Sequence, residues 1–376
     1  MRPAPLLPRL LLLWLPLLAA AAGDPKASQR EWQIYHGDFG GTHYSELDQI
    51  NRTNVKRLQL AWTWQTGDAG NTIECNPIIV NGVMYATTPQ LHVAALAAAT
   101  GRLLWRFDPW QGGRGRGVNR GVAHWTDGHG DERIFHSAGD WLYALDAKTG
   151  KPIPGFGRDG RISHKDGFDT DVFFFSIGNN TPGLVWKDLL ILGSTTGEGP
   201  QACAPGHIRA FDVRTGERKW IFHTIPHPGE FGYDTWAPDS WKKVGSANSW
   251  GGFTLDAERG ILFLGTGSPA YDKWGGNRPG ANLFGNCTLA LNAATGERLW
   301  HFQAVHHDLW DYDLPTPPVL PLNQRLAALL NRPAGDTSLF GMLDMLGVGH
   351  PAVHLVRGLA WAGPPARTKS RPSTSR

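Results

Sequence analysis

The chain has 376 residues, enough for one large domain or two ordinary ones. Its 47 glycines, 27 prolines and 17 tryptophans, against 18% charged residues, favour an all-β fold of short strands, because glycine and proline shape tight turns. The formal net charge of +3 comes from the two ends of the chain, and the body contains no basic stretch interleaved with aromatics, which excludes an ordinary nucleic-acid-binding surface.

Residues 1–22 have the pattern of a secretory signal peptide. Arg2 and Arg9 precede the apolar run 10–18, and small residues follow at 19–22. A membrane anchor is the alternative, but the apolar run is shorter than the ~20 residues that a spanning helix needs. We therefore predict cleavage near Ala22, a periplasmic or secreted protein, and no transmembrane segment in the mature chain.

The three cysteines are Cys75, Cys203 and Cys287, and they form no CxxC or CxxCH pattern. Neither a zinc ribbon nor a covalently attached haem is therefore encoded. One disulfide is possible in an exported protein, and the spacing leaves the pairing open.

An internal repeat organises the chain. Each copy predicts a strand that ends in a TG turn and a return strand, and in three copies a tryptophan stands four residues after the glycine. Such repeats, with aromatic residues that dock between neighbours, favour four-stranded blades arranged around an axis. A further strand is predicted at LQLAWTW, residues 58–64. The copies lie at residues 93–107, 142–156, 208–222 and 288–302, and the tryptophans are Trp105, Trp220 and Trp300.

The repeat pattern AxDxxTGxxxW resembles the tryptophan-docking motif of the quinoprotein alcohol and sugar dehydrogenases. The resemblance implies an all-β, eight-bladed propeller that holds pyrroloquinoline quinone (PQQ) on its axis. Here it covers residues 23–322, which we expect to form about four to five blades. Related blades occur in an outer-membrane assembly lipoprotein that binds no cofactor, so a non-catalytic propeller scaffold remains the alternative.

The segment 304–315, AVHHDLWDYDLP, concentrates histidines, aspartates and aromatics. Such density favours a site over a packing segment, because a buried carboxylate without a partner costs several kcal/mol. The segment matches the most specific signature of the family. By that resemblance Asp311 is the general base and a possible metal neighbour, and Asp308 and His307 orient it. Adjacent histidines on a strand face opposite ways, so a two-histidine metal clamp is not expected.

Three residues are candidates for holding the cofactor. Arg120, in GVNRGVAHW, could form a bidentate pair with a ligand carboxylate, and the resemblance implies a PQQ carboxylate. Trp250 stands among small residues and could present its face to a planar ring, although an interblade plug is the alternative. Glu74 precedes a predicted buried strand, where the family has an acid that contacts PQQ.

A cation site is expected at the end of the apolar strand in LLILGSTTGEG, residues 189–199. Glu198 stands where the family has a metal ligand, and oxygen ligands suit Ca²⁺ or another divalent cation. Thr195 and Gly197 would line the wall. Ser268 stands where the family has a ligand asparagine, and a serine hydroxyl is a poorer and shorter ligand.

The sequence changes character after Leu322: residues 323–376 contain no TG turn and end in RTKSRPSTSR. We expect this tail not to be family sequence, as the result of a frameshift or a truncating fusion. The resemblance implies oxidation of an alcohol, sugar or polyol, with electrons passed to a quinone or a separate cytochrome. An inactive, truncated quinoprotein is the alternative, in which the site residues are incidental.

Overall fold

A computed structural model describes residues 31–45, 47–70 and 72–320. Within them lie four antiparallel sheets of four strands, and in each sheet every strand pairs with the next one along the chain. This confirms the predicted all-β fold and gives four blades, within the expected four to five. The predicted signal peptide, 1–22, and the predicted tail, 323–376, lie outside the described residues. No helix among the described residues is long and apolar enough to span a bilayer.

The strands follow one another as four meanders. The first sheet contains β1 (Ile78–Val80), β2 (Val83–Thr87), β3 (Val93–Ala97) and β4 (Leu103–Phe107); the second β5 (Ala123–Thr126), β6 (Glu132–Ala138), β7 (Trp141–Asp146) and β8 (Arg161–Ser163); the third β9 (Leu184–Trp186), β10 (Leu189–Leu192), β11 (Ile208–Asp212) and β12 (Arg218–Phe222); the fourth β13 (Phe253–Asp256), β14 (Ile261–Gly265), β15 (Cys287–Asn292) and β16 (Arg298–Gln303). Short 3₁₀ helices lie at Val55–Arg57, Tyr233–Thr235 and Ser240–Lys242.

The core lies between successive sheets, because each sheet presents apolar side chains to its neighbours on both faces. Ile78 and Ile134 share one cluster between the first and second sheets. Phe135 and Leu190 pack between the second and third sheets, and Ile191 shares a further cluster with residues of the fourth. Cys75, Cys203 and Cys287 are all free thiols.

The repeated tryptophans join one blade to the next, as the repeat predicts. The indole Nε1 of Trp105 donates a 2.9 Å hydrogen bond to the carbonyl of Ala147 in the next sheet. The ring lies on Gly150 of the TG turn, where an added Cβ would come within 2.4 Å of it. Trp220 makes the same contacts with Ala293 and Gly296 of the fourth sheet.

Two predicted strands are wrong. Residues 58–64 form no strand, since no described segment pairs with their backbone, yet Trp62 still docks through a 3.1 Å hydrogen bond to the Ala98 carbonyl. In the second repeat the return strand is absent from residues 151–156, because Pro152 and Pro154 cannot donate to a ladder. The fourth strand of that sheet, β8, comes later in the chain.

Candidate active site

Loops from the third and fourth sheets meet at one end of the blades. The segment after β10 bonds to the segment before β13 through Ser194 N and the Ser249 carbonyl, 3.2 Å apart. The segment after β14 bonds to the segment after β16 through Ser268 N and Asp313 Oδ1, 2.7 Å apart. The residues predicted at 195–198, 250, 268 and 308–311 therefore belong to one group of adjoining loops.

Hydrogen bonds fix both the side chain and the main chain of Trp250. Its Nε1 donates a 2.6 Å hydrogen bond to Oδ2 of Asp313, and its own carbonyl accepts a 2.5 Å hydrogen bond from Oγ1 of Thr181. The guanidinium carbon of Arg120 lies 5.5 Å from the centroid of the indole, within the range of a cation–π contact. Trp250 therefore has a defined ring orientation.

Arg120 is held beside Glu74, a pairing that the sequence did not predict. Its Nη2 lies 3.2 Å from Oε2 of Glu74, and its Nη1 donates a 3.2 Å hydrogen bond to Oγ1 of Thr181. The main-chain N–H of Arg120 donates to the carbonyl of Asn180, 2.7 Å away, which fixes the loop itself. Glu74, Arg120 and Trp250 are thus brought into one neighbourhood, with Thr181 between the last two.

A cavity of about 420 Å³ opens beside these residues. Arg120, Thr181 and Trp250 line the cavity, together with Tyr35 and His36. Burial raises the pKa of Tyr35, whereas the charge of Arg120 acts in the opposite direction. The volume falls in the range of about 300–1,000 Å³ typical of small-molecule pockets, and the lining combines aromatic rings with one cation.

Four carboxylates form a second group, which we call the acidic group: Glu198, Asp272, Asp311 and Asp313. Burial, and then the charges of the other three acids, raise the pKa of Asp272 to about 7. Burial and the charges of Asp311 and Asp313 raise the pKa of Glu198. Lys273 is the one cation that contacts the group among the described ion pairs, with its Nζ 3.2 Å from Oδ2 of Asp311. Oxygen ligands of this kind suit a hard divalent cation, which would relieve the mutual repulsion.

Asp308 belongs to the same loop as Asp311 and Asp313 and is 1% exposed. Its Oδ1 accepts from the backbone N–H of Trp310 at 2.9 Å, and its Oδ2 accepts from the N–H of Tyr312 at 2.7 Å and from Nδ2 of Asn286 at 2.9 Å. The hydroxyl of Ser268 donates to Oδ2 as well. Burial alone would raise the pKa of Asp308, but these hydrogen bonds lower it. Its carboxylate shapes the loop that carries Asp311.

The remaining predicted residues have different surroundings. The hydroxyl of Ser268 is directed to Asp308, away from the role of a cation ligand that the sequence suggests. Oγ1 of Thr195 is buried and has no hydrogen-bond partner among the described residues. The carbonyl of Gly197 accepts a 2.7 Å hydrogen bond from Ser246, and His307 contacts the carbonyl of Gly280 at 2.9 Å.

Sequence reasoning missed Asp272, Asp313, Thr181 and Lys273. The DYD sequence at 311–313 was the available signal for Asp313, because it adds a further carboxylate to a segment already marked as a site. Asp272 gave no such signal, since it stands alone in SPAYDKW and meets the other acids only through the fold.

Comparisons with known proteins agree with this architecture. A family described as PQQ, the glucose/ethanol/alcohol dehydrogenase β-propeller domain, matches residues 32–326. The dehydrogenase subunit of the alcohol dehydrogenase (quinone) of Gluconobacter oxydans is 34% identical over 324 residues, 78% of this chain and 40% of that protein. The quinate/shikimate dehydrogenase (quinone) of Acinetobacter baylyi is 32% identical over 79% of this chain and 40% of its own length.

Solved structures show the same relation. The quinohemoprotein alcohol dehydrogenase from Comamonas testosteroni superposes with a TM-score of 0.65 at 31% identity, over 76% of this chain and 43% of that chain. A europium-containing methanol dehydrogenase superposes with a TM-score of 0.61 at 27% identity, over 77% of this chain and 51% of that chain. The chain spans about two fifths of the length of the curated relatives named above.

Proposed function

The chain belongs to the PQQ family of glucose, ethanol and alcohol dehydrogenase β-propellers, and from this premise we propose that it takes part in PQQ-dependent oxidation of an alcohol, sugar or polyol. One observation carries the proposal: Trp250 contacts Arg120 over its ring and Asp313 through its Nε1. The indole of Trp250 therefore adjoins two sites: the cavity, which would bind an aromatic, anionic ligand, and the acidic group, which would bind a cation.

The residues around the cavity fit PQQ, a planar ring system with carboxylates. Arg120 would bind a carboxylate, Trp250 would lie against the ring, and the unpaired hydroxyl of Thr195 would donate to it. Glu74 would keep Arg120 in place through their 3.2 Å ion pair. When bound, PQQ supplies the two-electron acceptor for a hydride from the substrate carbon.

We propose that the acidic group binds Ca²⁺ or another divalent cation, which would draw its carboxylates together. Glu198, Asp311 and Asp313 offer carboxylate oxygens, and Asp272 adds a fourth acid with a pKa of about 7. The likeness to a europium-containing methanol dehydrogenase supports a metal here. Such a cation would lower the pKa of a substrate hydroxyl.

Asp311 would take the proton of the substrate hydroxyl. Its side chain is 39% exposed, so a substrate can reach it, and Nζ of Lys273 lies 3.2 Å from its Oδ2. Asp308 would act as a positioning residue, because it bonds to the backbone on both sides of Asp311 and faces no solvent. Substrate is thereby deprotonated beside the cavity that Trp250 borders.

The proposed location, electron acceptor and substrate class rest on the sequence. We propose an exported protein, periplasmic or secreted, that passes electrons to a quinone or a separate cytochrome. The relatives whose names include quinone support the first acceptor. Sugars and polyols are favoured as substrates by the HHDLWDYDLP segment.

A titration of the purified full chain with PQQ in excess Ca²⁺ tests the proposal. We expect quenching of indole fluorescence that Trp250→Ala weakens, and dye reduction with an alcohol, glucose or quinate panel that Asp311→Asn abolishes. Absence of binding at micromolar PQQ would instead support a non-catalytic propeller scaffold or an inactive truncated quinoprotein.

A further inference from the structure

Three histidines outside the candidate active site come together at the outer strands of the third sheet. His207 directly precedes β11 and His223 directly follows β12, and since Ile208 pairs with Phe222 the two histidines extend the same ladder. The chain then turns, and the ring of His227 stacks on that of His223 at a centroid distance of 3.8 Å. We propose that His207, His223 and His227 bind a transition-metal cation of the zinc class.

The distances are close to those of a metal site. One possible ligand atom from each ring lies within 4.8 Å of the others. Zinc binds imidazole nitrogen at about 2.0–2.1 Å, so two nitrogens at corners of a tetrahedron around one ion lie about 3.4 Å apart. A closure of up to about 1.4 Å is therefore needed, and His227, which stands in a loop, can provide most of it.

The rings offer nitrogen atoms that the protein leaves unused. Nε2 is buried in all three histidines, and Nε2 of His207 and of His227 has no hydrogen-bond partner among the described residues. His207 is 1% exposed, so water does not compensate at its surface. Buried polar atoms are normally paired, and a shared cation is one way to satisfy several at once.

The protonation states of two rings bear on binding. Nδ1 of His223 lies 2.8 Å from Oε1 of Glu230, and a proton there leaves Nε2 free as a ligand, in the carboxylate–histidine–metal arrangement. Nδ1 of His207 accepts from the N–H of Thr224 at 3.1 Å, which puts its proton on Nε2. Binding through Nε2 therefore requires that proton to move to Nδ1, which gives up the hydrogen bond from the N–H of Thr224 and can donate instead to Oγ1 of Thr224, 3.5 Å away.

The surrounding charges select the class of metal. Oδ2 of Asp169 lies 3.3 Å from Nε2 of His223 and could complete a four-coordinate site. Asp169 also pairs with Arg218 at 2.5 Å, and the buried Arg209 lies near His207, so these cations offset the carboxylates. A nearly neutral, imidazole-rich pocket suits Zn²⁺, Ni²⁺ or Cu²⁺ and not Ca²⁺ or Mg²⁺.

A metal there would fasten the loop that leads to the candidate active site. Residues 223–252 leave β12, contain two 3₁₀ helices and a small core around Trp236 and Val244, and reach Trp250 just before β13. His227 also contacts Trp241 within this loop, at a ring distance of 4.4 Å. The cation would join the base of the loop to β11, whereas the acidic group lies at its other end.

Cobalt is a suitable probe because its visible absorption reports imidazole ligation. The full chain, freed of metal with chelator and kept in excess Ca²⁺ to saturate the acidic group, is titrated with Co²⁺ and then with Zn²⁺. We expect one equivalent of Co²⁺ to bind, to be displaced by Zn²⁺, and to raise the unfolding temperature. His227→Asn abolishes the spectrum, and Glu230→Gln weakens affinity by about 10- to 100-fold.

His43→Asn is the matched control, since it removes one ring of another close histidine pair, in which Nδ1 of His36 lies 3.1 Å from Nε2 of His43. This variant should bind Co²⁺ as the unaltered chain does. Circular dichroism checks that each variant folds. Failure of the unaltered chain to bind either metal, or unchanged binding in both His227→Asn and Glu230→Gln, overturns the proposal.

Discussion

The indole Nε1 of Trp250 and the carboxylate of Asp313 are joined by a 2.6 Å hydrogen bond. One side of Trp250 borders the cavity beside Arg120, and Asp313 belongs to the acidic group. A charge-assisted bond of this length is stronger than a neutral one, so a displacement of either residue moves the other. Occupation of the acidic group and of the cavity should therefore be coupled.

The short distance from Trp250 to the acidic group predicts energy transfer to a bound lanthanide. Tb³⁺ added to the full chain should luminesce on indole excitation, because hard cations prefer carboxylate oxygens. Trp250→Phe should reduce the emission without loss of Tb³⁺ affinity, whereas Asp313→Asn should reduce the affinity. Trp141→Phe, in the second sheet, is the control, and equal emission from both tryptophan variants would contradict the placement of the cation.

Asp311→Asn should abolish proton transfer while it preserves the loop. Asp311 has φ 63°, a left-handed conformation that asparagine tolerates well. We expect turnover to fall by about 10²- to 10⁴-fold with PQQ affinity nearly unchanged, as measured by dye reduction and fluorescence titration. Asp159→Asn is the matched control, because Asp159 has φ 56° and is exposed. Retained turnover in Asp311→Asn would exclude Asp311 as the base.

Arg120→Lys should weaken PQQ binding even though the charge is kept. A lysine cannot reproduce the planar fork that contacts Glu74 and Thr181 together. We expect a loss of affinity of about 10- to 100-fold in the fluorescence titration. The exposed Arg116 provides the control substitution, Arg116→Lys. Equal affinities for the two variants would mean that Arg120 does not contact the cofactor.

The stability of the cation-free protein should fall with rising pH. The pKa of Asp272 is raised from 3.8 to about 7, so across that interval the folded state keeps a proton that the unfolded state has lost. The free energy of unfolding therefore decreases as pH rises through the interval and levels off above it. Urea unfolding at a series of pH values should show that the free energy of unfolding depends less steeply on pH in Asp272→Asn, and likewise in saturating Ca²⁺. A slope unaffected by both would show that Asp272 does not carry the effect.

Because tryptophan rings dock on the TG turns, a single methyl group added to a turn glycine should lower the free energy of unfolding. Gly150 has φ +69° and an added Cβ would lie 2.4 Å from Trp105, whereas Gly82 has φ +74° and nothing within 4 Å. Both alanine substitutions strain the backbone, but Gly150→Ala should cost about 1–3 kcal/mol more in the free energy of unfolding. Urea midpoints measure the difference. Equal losses of stability in the two variants would mean that the ring of Trp105 moves aside without cost.

Much of the fold could be predicted because the repeat carries its own packing rule. A TG turn and a tryptophan four residues later specify both the hairpin and its contact with the next blade. The second repeat departs from the rule, and there Ile162 and Phe156 take the place of tryptophan over Gly216. That substitution depends on β8 arriving from a later segment, which local sequence does not encode.

The candidate site was predictable only where one segment carries a signal. Arg120 and Trp250 stood out through their glycine-rich surroundings, and both face the same cavity. Thr181 and Asp272 reach their positions through contacts across the fold, the first with Trp250 by a 2.5 Å hydrogen bond. The hydroxyl of Ser268 donates to Asp308 as part of a buried polar network, and the spacing of residues in the sequence does not reveal that network.

The order of the docking contacts bears on how the chain is made. Trp62 precedes Gly101, Trp105 precedes Gly150, and Trp220 precedes Gly296, so each ring is synthesised before the turn that it covers. Chains fold from the amino end as they emerge from the ribosome. A newly made turn therefore meets a tryptophan already fixed on the preceding blade, and the propeller can grow in one direction, with each completed blade acting as the template for the next.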